Sequence, residues 1–162
     1  MLAKLAIRDL VVIAVCVGCW ELYALVQGAG LLLRLPLALL VAVTSFLANY
    51  VGHEWGHLLG AKLAGSVCHP AHRLAAFHLF HFDTRRNDTR QFLAMAAGGL
   101  IASTLLLAGW IALLPLRELS GIATLTLVAL GYAATLITEL PVVWRIARGA
   151  ALPQGAMFEP TT

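Results

Sequence analysis

Charged residues are scarce in this chain. Of its 162 residues, 12% are Asp, Glu, Lys or Arg and 60% are hydrophobic, and the mean hydropathy is +0.86. A soluble domain is closer to about half apolar and about a quarter charged. Because one small water-soluble core could not bury this much apolar surface, the composition excludes an ordinary soluble domain and indicates a membrane protein.

Basic patches and cysteines are also few. The net charge is only +3, and the basic residues stand beside apolar runs rather than in a patch interleaved with aromatic residues, which argues against nucleic-acid binding. Of the three cysteines, Cys16 and Cys19 form a C-x-x-C inside an apolar run. Free cysteine behaves there as a small hydrophobe, so packing is favoured over redox or metal chemistry.

Four long apolar stretches organise the sequence. Each reaches the roughly 20 residues that a membrane-spanning helix needs, and in hydrocarbon the backbone must satisfy its own hydrogen bonds. The sequence therefore predicts an all-α integral membrane protein, a single membrane domain over residues 1–162 with about four transmembrane helices. The predicted spans are residues 10–33, 35–64, 92–116 and 122–144, with a membrane-associated cytoplasmic segment at 65–91.

The first apolar stretch is preceded by Lys4 and Arg8, as in a signal peptide. It is longer than a signal peptide and no clear small-residue cleavage site ends it, which predicts a retained helix. Nine of the eleven lysines and arginines lie in the two tails or between spans two and three. Only Arg34 and Arg117 lie on the other side, so the positive-inside rule places both termini and the middle segment in the cytoplasm.

The main functional motif is His53-Glu54-Trp55-Gly56-His57, an H-E-x-x-H within span two. On a helix, positions i and i+4 share a face, so both imidazoles can reach one metal ion. Glu54 lies roughly 100° round the helix and can take a proton from water beside that ion. The motif predicts a Zn²⁺ site with His53 and His57 as ligands and Glu54 as the catalytic general base. The alternative is a histidine pair that bonds to neighbouring helices.

A third zinc ligand has to come from another span. His53 and Glu139 lie at similar distances along the chain from the outer ends of their spans, so a constant helical rise puts them at nearly the same depth. Glu139 is therefore the predicted third ligand, and its alternative role is pairing with Arg145 or Arg148 at the end of its helix. Weaker ligand candidates are Asp83, Asp88 and the histidines of the middle segment.

Small and polar residues surround the predicted site. Three glycines recur every fourth residue beside the histidine face: Gly52, Gly56 and Gly60. Small residues at this spacing let another helix approach closely. Gly98 and Gly99 fall at the same depth in span three and allow a close backbone approach, and Ser103 adds a hydroxyl. Asn49 lies one turn before His53 and either supports the imidazoles or bonds between helices.

The middle segment carries four histidines in the run "HPAHRLAAFHLFHFD": His69, His72, His78 and His81. The segment is apolar enough to lie on the membrane, and "AAFHLFHF" predicts a short strand or hairpin over the cytoplasmic mouth of the site. The histidines lack a regular ligand spacing, which makes a metal-handling function the weakest hypothesis. Glu21 falls outside the predicted site and has no assigned role.

The stretch "NYVGHEWGHLLGAKLAG" resembles the active-site helix of the site-2 protease family of intramembrane zinc metalloproteases. The residues that match the family pattern are His53, Glu54, Gly56, His57, Ala61 and Gly65. "AAGGLIAS" resembles the later A-G-P-x-x-N segment through Ala97 and Gly98, with Gly99 in place of proline and Ser103 near the usual asparagine. The family's Asp ligand lies in an L-D-G segment that this chain lacks, so either Glu139 substitutes or the site is incomplete.

The resemblance implies an intramembrane zinc metalloendopeptidase, open to the cytoplasm, that cleaves a transmembrane segment of another membrane protein. The partners expected are that substrate and the lipid bilayer, without nucleic acid. The alternative is a non-catalytic protease-like subunit of a larger membrane complex, with a structural or vestigial metal site. The missing L-D-G segment and the small size of the chain favour this alternative somewhat.

Overall fold

The computed structural model describes residues 1–154 and 158, and the predicted single domain therefore includes residues outside the described part, at 155–157 and 159–162. Among the described residues the chain is mostly helical. The helices are α1 (Leu2–Leu25), α2 (Leu31–Leu63), α3 (Thr89–Leu113) and α4 (Leu119–Ala147), and two short strands, β1 (Cys68–Pro70) and β2 (Phe80–Phe82), lie between α2 and α3. The mostly helical fold predicted from the sequence is confirmed for these residues. The short strand or hairpin predicted for "AAFHLFHF" is present as β2, whose partner β1 lies outside that stretch.

Among the described residues, three helices rather than the predicted four are long and apolar enough to cross a membrane: α2, α3 and α4. Helix α1 differs from the predicted first span, residues 10–33, because it already begins at Leu2 and ends at Leu25. A glycine-containing turn separates it from α2, which takes in residues 31–33. Glycine disfavours the helix interior and readily forms turns, which accounts for the earlier end.

Helix α2 lies at the centre and packs against α1, α3 and α4. Its contact with α3 depends on glycines. A Cβ on Gly56 would overlap the carbonyl oxygen of Gly98, and a Cβ on Gly60 would overlap that of Ala94. The two backbones are therefore in direct contact, which is how small residues at a four-residue spacing bring membrane helices together.

Polar contacts join α1 to α2. The Trp20 indole donates to Ser45 Oγ at 3.0 Å, and Cys16 Sγ lies 3.5 Å from the same oxygen. The Trp55 indole donates to the buried Asp9 carboxylate at 2.8 Å. Cys16 is buried and, like Cys19, is a free cysteine, so the C-x-x-C contributes packing between helices.

The two strands form an antiparallel hairpin in which His69 pairs with His81. All three residues of β2 are buried. Two hydrogen bonds fasten the segment before β2 to helix α2. The Tyr50 hydroxyl donates to the Phe77 carbonyl at 2.9 Å, and the Leu79 N–H donates to Glu54 Oε2 at 3.0 Å. The hairpin is thus held against the turn of α2 that carries the H-E-x-x-H motif.

Candidate metal centre

Three potential metal ligands meet between α2 and α4: His53, His57 and Glu139. His53 Nε2 lies 3.0 Å from His57 Nε2 and 3.0 Å from Glu139 Oε1. His57 Nε2 lies 3.6 Å from the same carboxylate oxygen. The structure therefore brings together the two motif histidines and the predicted third ligand, which is 82 residues further along the chain than His57 (139 − 57 = 82).

The hydrogen bonds on the far side of each ring fix which nitrogen faces the cluster. His57 Nδ1 lies 3.0 Å from the Met95 carbonyl oxygen, which only accepts, so Nδ1 carries the proton and donates it. His53 Nδ1 lies 2.8 Å from Ser103 Oγ and 3.2 Å from the Gly99 carbonyl oxygen, and donates in the same way. Both Nε2 lone pairs then point at the Glu139 carboxylate.

When both rings are neutral, this arrangement places three acceptors face to face without a donor between them. The histidine rings are largely buried, and His53 retains only 5% of its surface exposed. Glu139 Oε2 is also buried and has no hydrogen-bond partner among the described residues. Buried lone pairs and carboxylates are costly unless a proton or a cation lies among them. A metal ion bound by these three side chains would meet that requirement.

Gly99 creates the space that the His57 ring occupies. A Cβ at this position would overlap the Cε1, Nδ1 and Nε2 atoms of His57. The sequence predicted that Gly99 allows a close approach beside the site, and in the structure this approach sets the position of the His57 ring, a candidate metal ligand. Gly98 instead packs on the α2 backbone at Gly56 and Gly60.

We expect Gly99→Ala to displace the His57 ring and lower metal affinity by at least about tenfold, since disturbing the partners that orient a ligand typically costs that much. Gly109→Ala is the matched control, because Gly109 lies on the same helix with open space around its Cα. Metal content after dialysis against a graded chelator series measures both variants. Equal retention by Gly99→Ala and wild type would contradict this role for Gly99.

Glu54 lies beside the cluster and is buried, with 6% of its surface exposed. One carboxylate oxygen, Oε2, accepts the Leu79 N–H of the hairpin. Glu54 also lines the same cavity as His57 and Glu139. The side chain is therefore held in place by one oxygen, in a position to exchange protons with a molecule in that cavity.

The cavity next to the cluster has a volume of about 250 Å³ and is mainly apolar. Four lining residues are polar: Glu54, His57, Thr138 and Glu139. Hydrophobic side chains form the rest of the lining: Phe80, Phe82, Phe92, Met95, Ala96, Val142, Val143, Pro153 and Phe158. A concave apolar site with a few convergent polar groups is typical of a binding or active site. Pro153 and Phe158, which follow α4, contribute to it, and the Phe158 carbonyl accepts a hydrogen bond from the Thr84 N–H at 3.3 Å.

Several candidates from the sequence lie elsewhere. Asn49 makes no hydrogen bond to either imidazole among the described residues, and it lines a separate cavity between α1, α2 and α3. Asp88 caps the start of α3 through a capping box with Gln91. Asp83 accepts the Arg85 N–H at 3.1 Å and lies near His69.

In the structure Glu139 pairs with the two motif histidines rather than with a C-terminal arginine, the alternative role. Its carboxylate faces the histidines, and the Arg148 guanidinium lies over the Trp144 ring at 5.5 Å. Sequence reasoning missed two supporting groups, the Met95 carbonyl and the Leu79 N–H. Both belong to the backbone, so no residue type at these positions could have indicated them.

Comparisons with known protein families, with curated proteins and with solved structures each returned no match.

Proposed function

We propose that this chain is an intramembrane zinc metalloendopeptidase of the site-2 protease type, which cleaves a transmembrane segment of another membrane protein. The observation that carries the proposal is the convergence of two imidazole lone pairs and a carboxylate beside Glu54. Two histidines and one glutamate are a ligand set that catalytic zinc sites use. The resemblance of the H-E-x-x-H helix to that family supports the same activity.

The separations between the three ligand atoms suit zinc. Ligands placed tetrahedrally at about 2.0–2.1 Å from an ion lie about 3.3 Å from one another. The three measured separations, 3.0, 3.0 and 3.6 Å, bracket this value. The Nδ1 hydrogen bonds of both rings orient them as the outer partners of ligand histidines do in zinc sites.

Bound zinc would polarise a peptide carbonyl and make water a stronger acid. The chain's own residues perform the proton transfers. Glu54 accepts the proton of the attacking water and returns it to the departing amine, while its second oxygen stays bonded to the Leu79 N–H. That bond keeps the carboxylate oriented through both transfers.

The surroundings favour an apolar, membrane-embedded substrate. The helices that carry the site, α2 and α4, have the length and hydropathy of membrane spans. Ionisable groups inside such spans are costly and mark functional sites. The apolar cavity next to the cluster suits the side chains of a hydrophobic segment, which has to unwind there to expose a peptide bond. The positive-inside pattern supports an orientation with both termini and the mouth of the cavity on the cytoplasmic side.

Metal removal tests the proposal. The purified full chain is reconstituted in lipid vesicles with a panel of single-span reporter proteins that differ in their membrane segments. We expect cleavage of a subset within the span, loss of cleavage after treatment with 1,10-phenanthroline, and recovery on adding Zn²⁺ but not Mg²⁺. Cleavage that continues after the metal is gone would overturn the zinc mechanism. No cleavage by the zinc-loaded chain would instead favour the non-catalytic subunit.

A further inference from the structure

The hairpin between α2 and α3 contains a second pair of closely spaced histidines, His78 and His81. Their Nε2 atoms lie 3.4 Å apart, and their ring centroids lie 4.6 Å apart at an interplanar angle of 71°. Two nitrogen ligands on a tetrahedral ion at about 2.0–2.1 Å are separated by about 3.3 Å. The pair therefore has the spacing of two ligands of one metal ion.

The same geometry occurs in the H-E-x-x-H pair of this protein. His53 and His57 have ring centroids 4.3 Å apart at 77°, and their Nε2 atoms are 3.0 Å apart. In that pair the spacing follows from one turn of helix. In the hairpin it is produced by a different backbone, the turn into β2, so the similarity is not a by-product of helical periodicity.

A third histidine lies within reach of this pair. The His72 ring centroid is 5.6 Å from that of His81, and His72 is exposed, so its side chain can change rotamer. The remaining histidine of the hairpin, His69, is directed elsewhere, with Nε2 3.6 Å from the Asp83 carboxylate. The cluster is thus made of His72, His78 and His81.

We propose that His72, His78 and His81 form a second metal site, outside the membrane-spanning helices, for an imidazole-preferring ion such as Zn²⁺, Cu²⁺ or Ni²⁺. This site is independent of the proposed protease activity. It has one structural consequence for the first site. Leu79, whose N–H holds the Glu54 carboxylate, lies between two of the ligands, so a bound ion would brace the segment that positions Glu54.

Metal stoichiometry of the full chain, purified in detergent and titrated with Zn²⁺ at micromolar concentration, tests the second site. We expect two equivalents for wild type, one for His78→Asn/His81→Asn, one for His53→Asn/His57→Asn and none for the fourfold variant. His69→Asn is the matched control from the same hairpin and should retain two. Two equivalents in His78→Asn/His81→Asn, or a single wild-type equivalent that this variant keeps, would overturn the second site. A single wild-type equivalent that His53→Asn/His57→Asn keeps would count against the first site alone.

A spectroscopic measurement keeps the test valid if His78→Asn/His81→Asn does not fold. Cu²⁺ is added to His53→Asn/His57→Asn, in which the hairpin is unchanged. Imidazole nitrogen couplings in the electron paramagnetic resonance spectrum are the expected result. A spectrum of hydrated Cu²⁺ would contradict the second site.

Discussion

Glu54→Gln is expected to abolish the proposed peptide-bond cleavage and to leave metal binding at His53, His57 and Glu139 intact. Glutamine keeps the size of the side chain, and its amide oxygen can still accept the Leu79 N–H, so the local structure is preserved. It cannot take a proton from water, and positioned general bases typically contribute about 10²–10⁴-fold to the rate. Metal content is unchanged because His53, His57 and Glu139 are untouched.

The measurement pairs vesicle-based cleavage of a membrane-anchored reporter with metal analysis of the same sample. Glu118→Gln is a suitable control, since Glu118 lies at the start of α4, where it is bonded to Gln27 and is remote from the cluster. Cleavage by Glu54→Gln at the wild-type rate would show that Glu54 is not the general base. If neither protein cleaves although both hold the ion, the alternative of a non-catalytic subunit gains support.

Glu139→Ala is expected to empty the first metal site. The variant loses one of three protein ligands and leaves two neutral imidazoles to hold a dication. Loss of an outer partner alone typically lowers affinity about 10–100-fold, so loss of a ligand should lower it by at least about 100-fold. Cleavage should fall in parallel. Measuring this in His78→Asn/His81→Asn removes any contribution from the second site.

Glu21→Ala is the matched control for Glu139→Ala. Glu21 is also a carboxylate on an apolar helix, but it is exposed on α1 and outside the cluster. We expect it to bind zinc as wild type does. Wild-type zinc affinity in Glu139→Ala would mean that the carboxylate merely accepts hydrogen bonds from protonated histidines, and that the third ligand is another group.

The sequence was informative about those features of the fold that depend on helical periodicity or on hydropathy. The 3.6-residue repeat placed His53 and His57 on one face of a helix, and apolar length indicated where the long helices lie. Depth matching between two helices selected Glu139, and its carboxylate lies against both imidazoles. The reasoning was weaker for Asn49. One turn of helix puts it on the same stripe as His53, but its side chain lines a different cavity.

The end of the first helix shows a further limit of predicting structure from hydropathy. Residues 26–33 contain no charged side chain and only one strongly polar one, Gln27, so an apolar count extends the span over the turn. The backbone instead breaks at the glycines of this region, because local conformational preference is independent of apolar content. Boundaries of apolar helices are therefore less certain than their existence.

By itself the sequence determined that the chain is built of long apolar helices and that the two motif histidines share one helix face, because these features depend on composition and on the geometry of a single helix. Only the tertiary structure decided three other features. The Met95 carbonyl and Ser103 orient the two rings, the hairpin N–H of Leu79 holds Glu54, and a turn brings His78 within 3.4 Å of His81. These contacts join separate segments or use backbone atoms, which every residue carries alike, so they leave no pattern in the sequence.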